Sequence, residues 1–529
     1  MPASTAGIPS FGKGKLPLVA ILIILLSCTS QKIKRETYAV RDAKKINAQN
    51  KYLKVHMKDG YVYVLDEWSF NDQDSTISGF GKYLDINRSL LSSKKRSGDG
   101  ALSFKIAYVD VALLETNDPG KSNSGGLVIA TIVTVGLTIN CIINPKSCFG
   151  SCPTFYADTG EGMELMAEGF SSSVAPSLEA KDIDMLYNAK QPPNRTFNIE
   201  VTNEAYETHV IRHANLIAVP KDEGKKVFVT PDEAYWEVEK PIVPQSANAP
   251  EGDISPLIER ADGKERFSLA DSTDLAAKEE VVLTFDNLEK GRSYGLILGK
   301  RQTLLTTYII YQGLAYMGHG ATYFFSEMER KQGWDKLSKD HIIDMLGGVE
   351  IFTQDEKGAW QKVEEVRETG PIATDFSITP VGKGNGQTKV KLRMTKGLWR
   401  LDYVALAPLV RTVDPIVIEP VKVLNAWLEE DSTARQHLIN PAFSLVTLPG
   451  DKYTLVYQLP ESGAFEFFLD SQGYYLEWMR NEWLKEQNLK KVKTMFLNPS
   501  KFLRKEAPKY KRIEHQMEEV FWNSRYVKN

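Results

Sequence analysis

Two cysteines with three residues between them, Cys148-Phe149-Gly150-Ser151-Cys152, are the sharpest chemical feature of the chain. Such a pair could close a disulfide, cycle as a redox couple or supply half of a metal site. A redox couple needs a depressed thiolate pKa, and its common spacing is C-x-x-C rather than C-x-x-x-C. Zinc needs further ligands, and no second C-x-x-C or H-x3-H lies nearby in the sequence. A structural disulfide between Cys148 and Cys152, buried free thiols and a metal or redox site therefore stay open, in that order of preference. His209 and His213 have the i, i+4 spacing of a helical metal pair, but their neighbours alternate in a strand-like frame. On a regular strand they share a face about 13 Å apart, too far to chelate one ion. Glu200, Glu204, Glu207 and Asp402 are the carboxylates that a glycosidase pair would draw on, although a solvated face or structural ion pairs with Arg212 account for them equally simply. Trp360, Trp399 and Tyr403 could line an aromatic binding surface for sugars, or fill a sandwich core. No nucleophile elbow, zincin or P-loop motif is present, and the turn Gly382–Gly386 is not followed by a helix signal. No catalytic residue, metal or cofactor is assigned.

The elements that must hold these residues read as mainly β. Residues 51–118 alternate in short runs around Lys58-Asp59-Gly60, the pattern of a small SH3- or Sm-like β-barrel. An apolar run at 125–143 contains no charge and is short for a membrane span, so it is either membrane-associated or a buried core element. Residues 145–240 read as a β domain. Residues 257–470 read as a β-sandwich-like domain with two helices, Thr306–Met317 and Tyr323–Lys331. Three hairpins are expected there: Val281–Phe285 with Tyr294–Gly299, Gly348–Thr353 with Trp360–Val366, and Val390–Met394 with Trp399–Leu406. Residues 474–529 form a basic, α-helical C-terminal segment broken at Asn498-Pro499-Ser500, with Ser500 as the expected cap. Its aromatic and basic residues either touch an anionic membrane surface or fold back onto the sandwich.

The N-terminus speaks to location. Lys13 and Lys15 precede an apolar run from Leu16, which closes on Leu25-Leu26-Ser27-Cys28. The element resembles a lipoprotein signal peptide over residues 1–28, which implies acylation of Cys28 and a membrane partner reached through that lipid. Residues 29–50 are polar and Lys-rich and read as a tether. Thr29, rather than aspartate, follows Cys28, which favours the outer membrane of the cell envelope. The net charge of −3 argues against nucleic acid as a partner.

The segment Ser151-Cys152-Pro153-Thr154-Phe155-Tyr156, then Asn203-Glu204 with Glu207-Thr208, carries a wider resemblance. With Leu178-Glu179, Glu368-Thr369-Gly370-Pro371 and Trp399-Arg400-Leu401-Asp402-Tyr403, it resembles a group of bacterial envelope lipoproteins of the Bacteroidetes type with an SCPxxY…NExxET pattern. The likeness covers residues 145–480 and departs at Thr159, which interrupts the group's Asp-Gly turn. It implies no activity and transfers no functional residue. The sequence thus leads to an envelope lipoprotein that binds or scaffolds, with an envelope protein or glycan as partner. An enzyme or carbohydrate-active protein using an unrecognised carboxylate or Cys148/Cys152 site is the second reading.

Overall fold

The computed structural model describes residues 32–38, 43, 46, 53–57, 61–84, 90–96, 103–120, 152–203, 207–321, 342–355, 357–367, 370–448, 450–477 and 484–525. Cys28, Cys141, Cys148, Glu204, the 125–143 run and the expected helix Tyr323–Lys331 lie outside them. No described helix is long and apolar enough to cross a membrane. The chain divides into two compact units, residues 1–85 with 90–130, and the remainder.

The first unit is an antiparallel sheet in the order Lys32–Tyr38, Val111–Gly120, Leu53–Met57, Val62–Asn71, Thr76–Leu84, Leu90–Lys94, with Phe104–Ala107 also on Thr76–Leu84. Alternate residues Leu53, Val55, Leu65, Ile77, Ile106 and Leu114 make its core. At Gly81, φ +152°, a Cβ would sit 2.1 Å from the Val64 carbonyl, so only glycine fits beside the bulge at Leu65/Glu67. The expected strands are present, but among the described residues the edge strands Lys32–Tyr38 and Leu90–Lys94 do not pair, so the sheet is open and not a closed barrel. Lys32–Tyr38, expected within the tether, pairs from Lys32↔Gly120 to Tyr38↔Leu114. An edge strand needs backbone partners rather than an apolar face, and its polar sequence hid it.

The second unit stacks four β layers. The outermost sheet runs Lys422–Leu424, Lys452–Gln458, Thr196–Thr202, Thr154–Asp158, Met163–Glu168. It closes over Ala180–Met185, Ala464–Glu477, Glu207–Lys221 and Ile416–Ile418, with Leu445–Thr447 on Glu207–Lys221. Phe155, Ile199, Leu216, Leu455, Tyr457 and Phe467 fill this first sandwich. The second sandwich packs the sheet Lys226–Val229, Tyr235–Val238, Trp399–Thr412, Ser293–Gln302, Asp375–Lys383 on the sheet Gly252–Asp253, Ser246–Ala249, Lys278–Leu288, Gly386–Thr395, Val349–Gln354, Trp360–Val366. Leu283, Phe285, Leu296, Ile351, Leu392 and Trp399 are among its core. Met185, Ile217, Phe468, Phe228, Ile297 and Phe376 join the two sandwiches.

The first sandwich is therefore built from residues 154–221 and 416–477, with the second inserted between them. The units expected at 145–240 and 257–470 interleave, because Glu207–Lys221 pairs along its length with Ala464–Glu477. Val349–Gln354 and Trp360–Val366 form the expected hairpin. The other two expected hairpins are arches: Lys278–Leu288 and Ser293–Gln302 lie in opposite sheets, as do Gly386–Thr395 and Trp399–Thr412. Lys278–Leu288 and Gly386–Thr395 alternate, whereas Ser293–Gln302 and Trp399–Thr412 are buried on both faces, and neither pattern says which sheet a strand joins.

The helix Leu305–Met317 and the C-terminal helices Leu489–Leu497 and Pro499–Arg525 pack on the second core through Tyr308, Ile309, Val492, Phe502, Leu503 and Tyr510. The C-terminal segment thus folds back onto the sandwich. The break falls where expected, but Asn498 is the cap: its Oδ1 accepts the Lys501 amide at 3.1 Å, and Pro499 takes the first helical position.

Candidate functional site

The motif segments converge on a joint between the sandwiches. Cys152 lies just before the strand Thr154–Asp158, and Glu168 ends the strand paired with it. From the other sandwich come Gln302, the first turns of Leu305–Met317, and Gly370-Pro371. Glu168 Oε2 accepts the Ile372 amide at 2.8 Å, and the Gln302 amide donates to the Gly370 carbonyl at 3.0 Å. A Cβ on Gly370 would meet the Glu168 carboxylate at 2.1 Å, so glycine is what lets the two segments close. Tyr311 donates to Glu477 at 2.6 Å, and Tyr475 donates to the Ser171 carbonyl at 3.0 Å.

Behind these groups lies a second polar chain. The His209 ring meets Glu207 Oε1 at 2.7 Å through Nε2 and Thr447 Oγ1 at 3.1 Å through Nδ1, and Glu207 and His209 are both fully buried. Asn203 donates to the carbonyls of Glu207 and Thr447, each at 3.1 Å. Asp451 accepts the Leu448 amide at 2.8 Å; burial raises its carboxyl to about 6, against that bond and the nearby His209.

This joint is poorly suited to thiol chemistry. Cys152 is free and 3% exposed. Burial, then Glu168 and Glu207, push its thiol well above the usual range, the opposite of an activated thiolate. The cavity lined by Cys152, Glu168, Ser171, Thr307, Tyr311 and Tyr475 measures about 30 Å³. That admits one or two waters, whereas ligand pockets start at roughly 300 Å³.

A second joint fastens the C-terminal helix. Glu265 pairs with Arg301, which also donates to the Pro371 carbonyl at 2.6 Å. Arg400 reaches Glu265 at 3.4 Å and Glu518 at 2.6 Å, and Glu518 also accepts the Leu304 amide at 2.6 Å. Burial lowers the Arg301 guanidinium to about 10, against the attraction of Glu265. Glu506 accepts from Tyr308 and Tyr316, and Glu514 accepts the Ala270 amide. Sequence reading missed these glutamates. Their signal is a stripe of Glu506, Glu514 and Glu518 at helical spacing among Phe502, Tyr510 and Met517.

The other sequence candidates are dispersed. A bulge between Ile211 and His213 reverses the side-chain parity of their strand, so His209 and His213 do not share a face as a regular strand would require. His213 pairs instead with Asp470 at 2.9 Å. Arg212 binds Glu179 in bidentate fashion, not Glu207. Among the described residues no group of three or more His, Cys, Asp or Glu is placed to hold a metal. Glu200 pairs with Lys452 at 2.7 Å on the outer sheet. Asp402 accepts the Gly263 amide, and burial, with Glu265 and Asp262 against that bond, raises it to about 6. The register slips at Gly299/Lys300 opposite Asp402, so Trp399 enters the second core while Tyr403 packs on the inter-sandwich face. Trp360 lies on the edge strand of another sheet, beneath Lys391. The three aromatics form no shared platform.

No protein-family model matches the chain, and no curated protein does. Among solved structures it is similar to an allantoicase at 10% identity and a TM-score of 0.18, over 54% of this chain and 99% of that one. It is likewise similar to a cycloalternan-forming enzyme from Listeria monocytogenes at 10% identity and a TM-score of 0.16, over 66% of this chain and 30% of that one. Likenesses at these scores carry no argument about chemistry.

Proposed function

We propose that this chain is a lipid-anchored protein of the bacterial cell envelope, of the SCPxxY…NExxET group, that acts by binding or scaffolding rather than by catalysis. One observation carries the non-catalytic half. Cys152, Glu168, Glu207 and His209 are buried, Glu168 bound to a backbone amide and Glu207 to His209, and the cavity that Cys152 and Glu168 line measures about 30 Å³. Such groups fasten layers together, and the partner, an envelope protein or a glycan, is met on the outer surface. The basic, apolar and Cys28 sequence at the N-terminus supports the anchored half, and Thr29 supports the outer membrane.

The test is intact mass and fractionation of the chain from its native membranes, for the wild type and Cys28→Ala. Acyl mass on Cys28, with the variant lost from the membrane pellet, is the expected result; an unmodified Cys28 removes the anchor. For the role, a Cys152→Ser/Asp402→Asn variant that melts like the wild type should restore the envelope properties of a deletion strain. Loss of complementation with an intact fold would return the enzyme reading.

A further inference from the structure

The two C-terminal helices segregate their charges. Between Leu484 and His515 the acidic residues are Glu486, Glu506 and Glu514, and all three turn toward the protein. The exposed charges of that segment are all basic: Lys485, Lys490, Lys493, Lys501, Arg504, Lys505 and Arg512. On Pro499–Arg525, Lys501, Arg504, Lys505, Pro508 and Arg512 fall within one narrow stripe at 100° per residue. The opposite face, with Phe502, Ala507, Tyr510 and Met517, is in the core. Arg504 alone of this stripe is paired across to another element, with Asp274 at 3.1 Å. On Leu489–Leu497, Leu489, Lys493 and Leu497 share an i, i+4, i+8 stripe, and the two leucines are 66% and 62% exposed.

From this arrangement we propose that the solvent face of the two helices is a docking surface for a layer of anionic phospholipid headgroups. Over residues 484–515 the exposed charge is basic and complementary to phosphate, and exposed leucines flank Lys493 where side chains can reach the acyl boundary. A phosphodiester polymer or an acidic protein would use the cations but has no comparable use for two bare leucines on that stripe. The inference does not rest on acylation of Cys28, and its test is made without the acyl chain.

The experiment uses the full chain carrying Cys28→Ala and measures co-sedimentation with phosphatidylcholine vesicles, with and without phosphatidylglycerol. Binding to the anionic vesicles only, lost at high salt, is expected. Lys501→Glu, Lys505→Glu and Arg512→Glu together should weaken it by about a hundredfold or more, since each cation near an anionic surface contributes roughly fivefold. Leu489→Ser with Leu497→Ser should weaken it further at fixed charge. These side chains are exposed, so the melting temperature should hold; if the reversal variant melts early, the glutamine versions replace it. Equal binding to neutral vesicles, or unchanged binding of the reversal variant, overturns the proposal. So does tighter binding to heparin or duplex DNA than to the anionic vesicles with no effect of the leucine changes, which would assign the surface to a polyanion.

Discussion

Replacing Glu518 by alanine should release the C-terminal helix from the second sandwich. The carboxylate is 5% exposed and accepts from two buried donors, the Leu304 amide and the Arg400 guanidinium, each at 2.6 Å. Alanine leaves the amide without this acceptor, a loss of about 1–3 kcal/mol. It also breaks a buried ion pair, a loss of about 3–5 kcal/mol, with Arg400 left to Glu265 at 3.4 Å. One carboxylate makes both bonds, so the losses overlap, and the total expected is about 3–5 kcal/mol rather than their sum. Glu518→Gln keeps an acceptor for the amide and loses only the charge assistance, about 1–2 kcal/mol. A chain of several layers does not unfold in one step, so the readout must be local. Amide hydrogen exchange at Leu304 should accelerate by on the order of a hundredfold or more in Glu518→Ala, with new protease cleavage within 499–525. The glutamine variant should fall between. Exchange at Leu304 within threefold of the wild type would refute the claim that this carboxylate holds the helix.

Three further outcomes are expected. Asp402 titrates at about 6 in the fold against about 3.9 in an unfolded chain, so the fold binds its proton more tightly. That contribution is complete below pH 4 and is lost as pH rises through 6; hydrogen exchange at the Gly263 amide that Asp402 accepts, corrected for its intrinsic rate, should show easier opening from pH 4 to 7, and Asp402→Asn should flatten that dependence by roughly 2–3 kcal/mol. Gly370→Ala sets a methyl against the Glu168 carboxylate and should destabilise the joint by about 1–3 kcal/mol, seen as a lower melting temperature. Cys152, buried and with a raised thiol pKa, should resist alkylation at neutral pH until the chain is denatured, as counted by mass on a Cys28→Ala/Cys141→Ala/Cys148→Ala background; labelling in the folded state would contradict the closed joint.

Most strands were legible in this sequence apart from the polar edge strand Lys32–Tyr38, and pairing was legible only for tight hairpins such as Val349–Gln354 with Trp360–Val366. Phe197–Val201 alternates cleanly, and it, Val210–Val219 and Tyr453–Gln458 all lie in strands. Yet nothing local separates the arch from Leu288 to Ser293 from the true hairpin from Gln354 to Trp360, because an apolar pattern records burial and not which sheet a strand joins. The bulged residues Arg212 and Asp402 are not themselves glycines, and each bulge reverses the parity on which a reading of His209 with His213, or of Trp399 with Tyr403, depends. The candidate site was legible as scattered motifs only: Cys152 and Gly370 line one cavity, and Asn203 reaches Glu207 and, 244 residues away, Thr447, pairings that local periodicity cannot encode.

The interleaving of the two sandwiches sets an order of events for a chain made from its N-terminus. Gln191 waits for Phe465, its hydrogen-bond partner 274 residues later. Strands 154–221 emerge with Phe155, Ile199 and Leu216 in two incomplete layers, one missing Lys452–Gln458 and the other Ala464–Glu477 until residues 452–477 have been synthesised. At the ribosome's roughly 5–20 residues per second that interval lasts on the order of 10–50 s. The inserted sandwich can collapse meanwhile, but its own core still lacks Phe502 and Tyr510 from the last helix. A chain cut short before that helix keeps the first sandwich but leaves an open apolar face on the second, a natural substrate for chaperones and proteases. Ala464–Glu477 and Pro499–Arg525 thus act as late seals, one on each sandwich.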